Sequence, residues 1–353
     1  MNHCLTTLRN PLPGLLMGPA LATLCWFLIG PRANAQEQLW QTFKARFVQA
    51  DGRIIDDRNG GVSHSEGQGY GLLLAQANHD REAFNRIWTW TNAHLYTRSD
   101  GLFAWRWKPG LFGPQIDQNN ATDGDLLIAW ALSRAASSWQ EPALQSSAVQ
   151  IARAIRRELI RPSRFGSVLL PGAYGFEKPD GLVVNLSYWI FPAFRALATI
   201  DPAPEWQALQ RSGLGLLEAA RFGSAGLPPD WLWIDNNSLR VAPGFEPVYG
   251  YNAVRIPLYL AWGGIASAKY YQAFRQIGAL QGDRLPPAKV SLPSGKFSRD
   301  AALPGMRAIY RLISGNSLPP AHHYPCYPEA QTTEPYFSVS LGLLANCAGN
   351  GVR

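Results

Sequence analysis

Residues 121–139, Ala-Thr-Asp-Gly-Asp followed by an apolar run, set two carboxylates, Asp123 and Asp125, at the mouth of a helix. Ile128, Ala131, Leu132, Ala135 and Trp139 recur at helical spacing and give that helix a core-facing stripe. Upstream, Glu66 stands between Ser65 and Gly67, just before a second apolar helix. Carboxyl groups on two separate helix starts suit glycosidic hydrolysis: one protonates the leaving oxygen while the other activates water or attacks carbon. Each motif also has a plainer reading. Thr122 or Asp123 caps the orphan N–H groups of its helix. Ser65 caps the other, with Glu66 solvated in a first turn where the helix dipole favours negative charge. Glycines at 67, 69 and 71 each weaken the second helix by about 1 kcal/mol against Ala, which implies that something approaches its backbone closely.

Aromatic rings beside the carboxylates would hold flat sugar rings. Trp105 and Trp107 alternate in a short extended run ahead of Asp123, and Tyr70, Trp130, Tyr188, Trp231, Trp233 and Tyr251 flank other loops. The 353-residue chain carries thirteen Trp and thirteen Tyr with only 16% charged residues. That balance fits a soluble protein that stacks on something flat, with part of the aromatic set in the core.

The elements that must position these groups are mostly helical. Periodicity predicts helices over 37–48, 67–78, 82–95, 123–139, 144–158, 186–199, 205–220, 252–266, 270–280, 301–313 and 334–345. Between them run loops rich in Gly, Pro, Asn and Asp, such as 56–65, 108–120, 169–180 and 223–247. About eleven helices without βαβ alternation predict an all-α domain, and its long loops are where function is expected. No linker interrupts the pattern.

The N-terminus reads as a targeting segment. Arg9 precedes an apolar run from about 13 to 30, and Ala33-Asn34-Ala35 offers small residues at the two positions a signal peptidase reads. A signal peptide over 1–35 and one domain over 36–353 are therefore expected, with a periplasmic or secreted protein that has no stable membrane span after cleavage. Pro13 and Pro19 within the run disfavour a permanent anchor. Cleavage leaves net charge +5 against +7 for the whole chain. Without a Lys/Arg run this is no nucleic-acid footprint. It also leaves Cys326 and Cys347, an even pair expected to form a disulfide in an exported chain, two independent buried thiols being the other reading. No His/Cys cluster has metal-ligand spacing, so neither metal nor cofactor is expected; His322-His323 reads as surface.

Taken together, these residues resemble glycoside hydrolase family 8, and within it the endoglucanases that accompany bacterial cellulose synthases. Residues 121–139 fit the family signature, and Ser-Glu-Gly-Gln-Gly-Tyr-Gly at 65–71 is similar to its acid motif. Similarity extends to residues 169–172, 185–188, 227–231 and 251–257, and so spans about 38 to 344. The resemblance implies an (α/α)6 barrel with a cleft across the loops at the N-terminal ends of its inner helices. It implies endo-cleavage of β-1,4-glucan with inversion, Glu66 as proton donor and Asp123 as the signature's active-site carboxylate. It further implies substrate binding by Tyr70, Trp105, Asn185, Tyr188, Asp230, Trp231, Tyr251, Asn252 and Arg255, with a cellulose synthase complex as a candidate partner. One position departs from the pattern. The family's usual base is the Asp of Tyr-Asp-Ala-x-Arg, and Asn252 stands there. An amide cannot take a proton from water. Another carboxylate is then the base, Asp123 first and Asp117 or Asp230 behind it; or Asn252 only orients the water; or the protein binds glucan without cutting it. Chitosan or xylan is the alternative polymer.

Overall fold

The computed structural model describes residues 31–279, 285–314 and 333–350. Among them are eleven α-helices: α1 (Pro31–Phe47), α2 (Ser65–Ala77), α3 (Arg81–His94), α4 (Thr122–Trp139), α5 (Pro142–Leu159), α6 (Phe191–Ile200), α7 (Pro204–Ala219), α8 (Ile256–Trp262), α9 (Gln272–Gly278), α10 (Pro304–Ile313) and α11 (Tyr336–Gly349). Every helical segment expected from periodicity is present. Two begin four or five residues later than expected because a 3-10 turn, Leu186–Tyr188 or Ala253–Arg255, leads each in. Pro192 and Pro257 then open α6 and α8, where a residue without N–H costs nothing.

Six helices close a ring. α2 packs on α4, α4 on α6, α6 on α8, α8 on α10, α10 on α11, and α11 back on α2. Outside them, α3 covers α2, α5 covers α4, α7 covers α6, α9 covers α10 and α1 covers α11. This is the expected (α/α)6 barrel. The sequence dictates the sorting: α4, α8 and α11 are apolar nearly all round and lie buried, whereas α5 buries one face, Ala148, Ile151, Ala152, Ala154, Ile155 and Leu159.

The glycine run of α2 finds its explanation in this packing. A Cβ at Gly67 would lie 2.8 Å from the Tyr336 hydroxyl, one at Gly69 2.6 Å from Leu127 Cβ, and one at Gly71 would strike Ile54. What approaches the backbone is the neighbouring protein rather than a ligand.

Among the described residues the loops hold eleven short strands in four antiparallel sheets, which periodicity did not predict because two to four residues are too few to show alternation. β1 (Ser63–His64), β2 (Arg106–Lys108) and β3 (Gln115–Asp117) form one sheet. β4 (Ile160–Ser163) pairs with β5 (Gly166–Leu169); β6 (Glu177–Lys178), β7 (Gly181–Val184), β8 (Leu232–Ile234) and β9 (Leu239–Val241) form a third; β10 (Val248–Tyr249) pairs with β11 (Val290–Ser291).

Among the described residues, no helix is long and apolar enough to cross a membrane. Helix α1 runs through residues 31–35, across the expected cleavage point. Cys347 is buried in α11, while Cys326 and His322-His323 lie outside the described residues, and the disulfide expectation with them. No cluster of three metal-ligating side chains occurs among the described residues.

Candidate active site

The caps of α2 and α4 decide between the two readings of their acidic starts. At α4, Thr122 Oγ1 donates to the Leu170 carbonyl (2.6 Å), and Ala121, the N-cap residue, makes no side-chain cap. Asp123 Oδ1 accepts from the adjacent Gly124 N–H (2.9 Å), and the carboxyl also takes its own backbone N–H. Thr122 does not cap, and Asp123 satisfies first-turn N–H groups while its Oδ2 turns to Arg255. At α2 the cap is His64, whose Nδ1 accepts from Gly67 N–H (3.0 Å); Ser65 is buried with its hydroxyl unpartnered. Glu66 and Asp123 Oδ2 are thus left for other work. Asp125 is not: its two oxygens accept from Phe103 N–H (2.8 Å) and Asn120 Nδ2 (2.7 Å), pinning the loop that precedes α4.

Arg255, from the 3-10 turn leading into α8, joins the two helix starts. Its Nη1 pairs with Glu66 Oε1 and with Asp123 Oδ2 (3.1 Å), and reaches the Tyr70 hydroxyl at 3.3 Å. Nη2 donates to Ser187 Oγ (3.1 Å) and Asn252 Oδ1 (3.0 Å). Tyr70 donates to Glu66 Oε1 (2.9 Å) and meets Tyr259 OH at 3.2 Å. Side-chain exposure separates the pair: 18% for Glu66 but 2% for Asp123 and 4% for Arg255. Burial pushes the Asp123 carboxyl up, to about 8; the Gly124 N–H opposes the rise and the nearby Asp125 carboxyl adds to it. One guanidinium thereby fixes both carboxyl groups in a single geometry.

The departure at 252 is built into this network. Asn252 Oδ1 accepts from Asn185 Nδ2 (3.0 Å) as well as from Arg255, and its side chain also bonds the Asp230 carboxylate. Asp230 is buried and accepts from Gly250 N–H (2.9 Å) and Ala253 N–H (2.8 Å), fixing the loop that carries Tyr251 and Asn252. Burial raises its carboxyl above the ordinary value, and those N–H groups oppose the rise. Asp117, on β3, is 41% exposed and lies 3.8 Å from Arg106.

The expected site residues therefore divide. Glu66, Tyr70, Asp123, Asn185, Tyr188, Asn252 and Arg255 converge, with the Arg255 guanidinium 5.6 Å over the Tyr188 ring. Tyr70 is buried and holds Glu66 by its hydroxyl, so its ring is no platform. Trp105 lies alongside: its carbonyl accepts from Ser65 N–H (2.9 Å) and the Arg106 guanidinium covers its ring at 4.7 Å. Trp231 is stacked between Phe176 (5.8 Å, 3°) and Phe245 (4.6 Å, 23°), which occupies its ring faces. Tyr251 is 38% exposed and meets Phe337 edge-on. Trp130 and Trp233 are core. Sequence reasoning missed Ser187, Tyr259 and Phe245. Tyr259 carried a signal, since it stands four residues after Arg255 and so on the same helix face.

The sequence profile described as Glycosyl hydrolases family 8 matches residues 16–351. A "Probable endoglucanase" of Novacetimonas hansenii is 37% identical over 308 residues, 86% of this chain and 90% of its own. The endoglucanase of Cellulomonas uda is 43% identical over 236 residues, 67% of this chain and 66% of its own. Among solved structures, endoglucanase Cel10 of Klebsiella pneumoniae superposes with a TM-score of 0.84 at 36% identity, covering 90% of this chain and all of that one. The endo-β-1,4-glucanase CMCax of Acetobacter xylinum gives 0.80 at 36%, covering 90% and 98%. With Glu66, Asp123 and Arg255 meeting at the helix mouths of the barrel, the chain belongs to Glycosyl hydrolases family 8 and is a glycoside hydrolase.

Proposed function

We propose that this protein is an endo-β-1,4-glucanase that cuts internal bonds with inversion. The observation that carries the reading is the Glu66–Arg255–Asp123 cluster at the N-terminal ends of α2, α4 and α8. Relatives named endoglucanase at 37% and 43% identity support the same activity. Glu66, the more exposed carboxyl, protonates the leaving oxygen. Asp123 and Arg255, nearly inaccessible, grip the sugar at the scissile bond. Glu66 Oε1 and Asp123 Oδ2 contact one nitrogen, so they lie no more than about 6.5 Å apart. An inverting pair needs roughly 6.5–9.5 Å between its carboxyls to admit water, which favours gripping over base catalysis for Asp123. Residue 252, an amide, cannot supply the base either.

Residues 36–353 should release reducing ends from carboxymethyl cellulose, and Glu66→Gln should abolish the release. Equal, background release from both proteins would overturn the enzymatic reading. It would leave a non-catalytic glucan-binding protein, the alternative that Asn252 favours, which cellulose-gel retention without cleavage would reveal.

The targeting segment over 1–35 supports an exported protein, periplasmic or secreted, and with it a role in trimming glucan during cellulose synthesis, with a synthase complex as partner. Cell fractionation with a C-terminal tag tests the location, and co-purification with the synthase tests the partner.

A further inference from the structure

The loop joining β2 to β3 is unlike the rest of the surface. It reads Pro109-Gly-Leu-Phe-Gly-Pro114, and at its tip Leu111 and Phe112 are 99% and 105% exposed. Adjacent apolar side chains fully in water mark a contact site more often than scattered single ones do. Proline at each end fixes φ and limits the freedom of the tip, so less entropy is lost when something docks there. At the base of the hairpin lies an open depression of about 370 Å³ lined by Arg106, Lys108, Gln115, Ile116, Asp117 and Gln118. Apolar tip and polar trough are joined by the same two strands.

The hairpin is tied to the catalytic centre by register. His64, two residues before Glu66, pairs with Arg106, and Arg106 pairs with Asp117. Two strand spacings, about 10 Å, therefore separate Asp117 from the strand that delivers Glu66. A polymer threaded past Glu66 needs only about a disaccharide's further length to meet this trough.

We propose that the β2–β3 hairpin is an auxiliary subsite for a long β-1,4-glucan chain, beyond the Glu66–Arg255 pair, with Phe112 against a pyranose face and the amides of Gln115 and Gln118 on hydroxyl groups. The proposal rests on the endoglucanase reading. A pyranose presents C–H faces and hydroxyl edges together, which matches the pairing of an unpacked ring with a trough of amide and charged groups. A lipid surface or a protein groove would account for the tip and leave the trough unused.

The test compares the wild-type chain with Leu111→Ser/Phe112→Ser and, separately, Gln115→Ala. KM is measured on carboxymethyl cellulose and on cellotetraose, and retention in cellulose gels is measured in parallel. The ratio of the polymer KM to the cellotetraose KM should rise about tenfold in the double variant, the scale set by partly burying one Phe ring, and by a smaller factor in Gln115→Ala. An unchanged ratio with unchanged gel retention overturns the proposal. Binding to phosphatidylglycerol vesicles that the double variant loses, with the ratio unchanged, overturns it by assigning the tip to membranes. Wild-type protein that cleaves neither substrate sinks the endoglucanase reading instead, and gel retention still reads the subsite.

Discussion

Glu66 and Asp123 are tied together through one atom: Nη1 of Arg255 contacts a carboxylate oxygen of each. Two acidic side chains delivered by different helices are thereby held at one point without a metal-ligand cluster among the described residues. Arg255→Met leaves two carboxylates facing each other with no cation between them. Removing one member of a buried charge cluster costs about 3–5 kcal/mol, and losing a preorganised charge at a reacting centre costs about 10²–10³ in kcat. Urea unfolding and carboxymethyl cellulose hydrolysis read the two effects separately. Arg255→Lys should recover most of the stability but little of kcat, because a point charge cannot span Glu66, Asp123, Ser187 and Asn252 as a planar fork does.

Asn252 is the second test. Its Oδ1 already takes the hydrogen bonds from Arg255 and Asn185 that an aspartate would take. Its amide meets the Asp230 carboxylate, where an aspartate would place like charges together. Asn252→Asp should therefore leave kcat within about threefold, whereas supplying a missing base would raise it by about 10²–10⁴. A rise of that size would show that the wild-type protein lacks a base. If kcat holds, one of Asp117→Ala, Asp123→Ala and Asp230→Ala should regain activity with added azide and the other two should not.

The barrel and its two acidic helix starts were legible because both are local patterns. An apolar stripe at helical spacing survives into the fold, and Glu66 and Asp123 stand where the motifs put them. What binds them was less legible. Arg255 joins residues 189 and 132 positions away, and Ser187 enters only because a 3-10 turn aims its hydroxyl inward. His64 took the capping role through a ring nitrogen, outside the Ser, Thr, Asp and Asn set that a sequence reading expects. Trp231 reads in the sequence as a sugar platform, but Phe176 and Phe245 cover its faces, a stacking that unites three separate loops.

Asp125 makes stability depend on pH. Burial pushes its carboxyl from 3.8 up to about 7, against the hydrogen bonds from Asn120 and Phe103. A raised folded-state value means that the folded protein binds the proton more tightly than the unfolded chain. The contribution is then fully present below about pH 4 and is lost as pH rises toward 7. Stability relative to Asp125→Asn should accordingly fall across that window, by up to roughly 4 kcal/mol. Thermal melts of both proteins from pH 4 to 8 give the difference directly. A difference that grows with pH would mean that the two donors hold Asp125 ionised in spite of its burial.

Gly124, between the two aspartates, sets how closely α4 approaches α2. A Cβ there would lie 2.6 Å from Ser65 Cβ and 2.8 Å from the Glu66 backbone nitrogen. The obstacle is the backbone that carries the proton donor, so Gly124→Ala must push the two helix starts apart. Overpacking of this kind costs about 1–3 kcal/mol. A shift of about 1 Å at a reacting group costs on the order of 10² in rate, so kcat should fall by about that factor in protein that is still folded. Gly215 in α7 is the matched control, because a Cβ there meets nothing within 4 Å. Gly215→Ala should stabilise the helix by up to about 1 kcal/mol and leave kcat alone. Full activity in Gly124→Ala would mean that Glu66 needs no close register with Asp123, and the role given to the Asp-Gly-Asp turn would have to be abandoned.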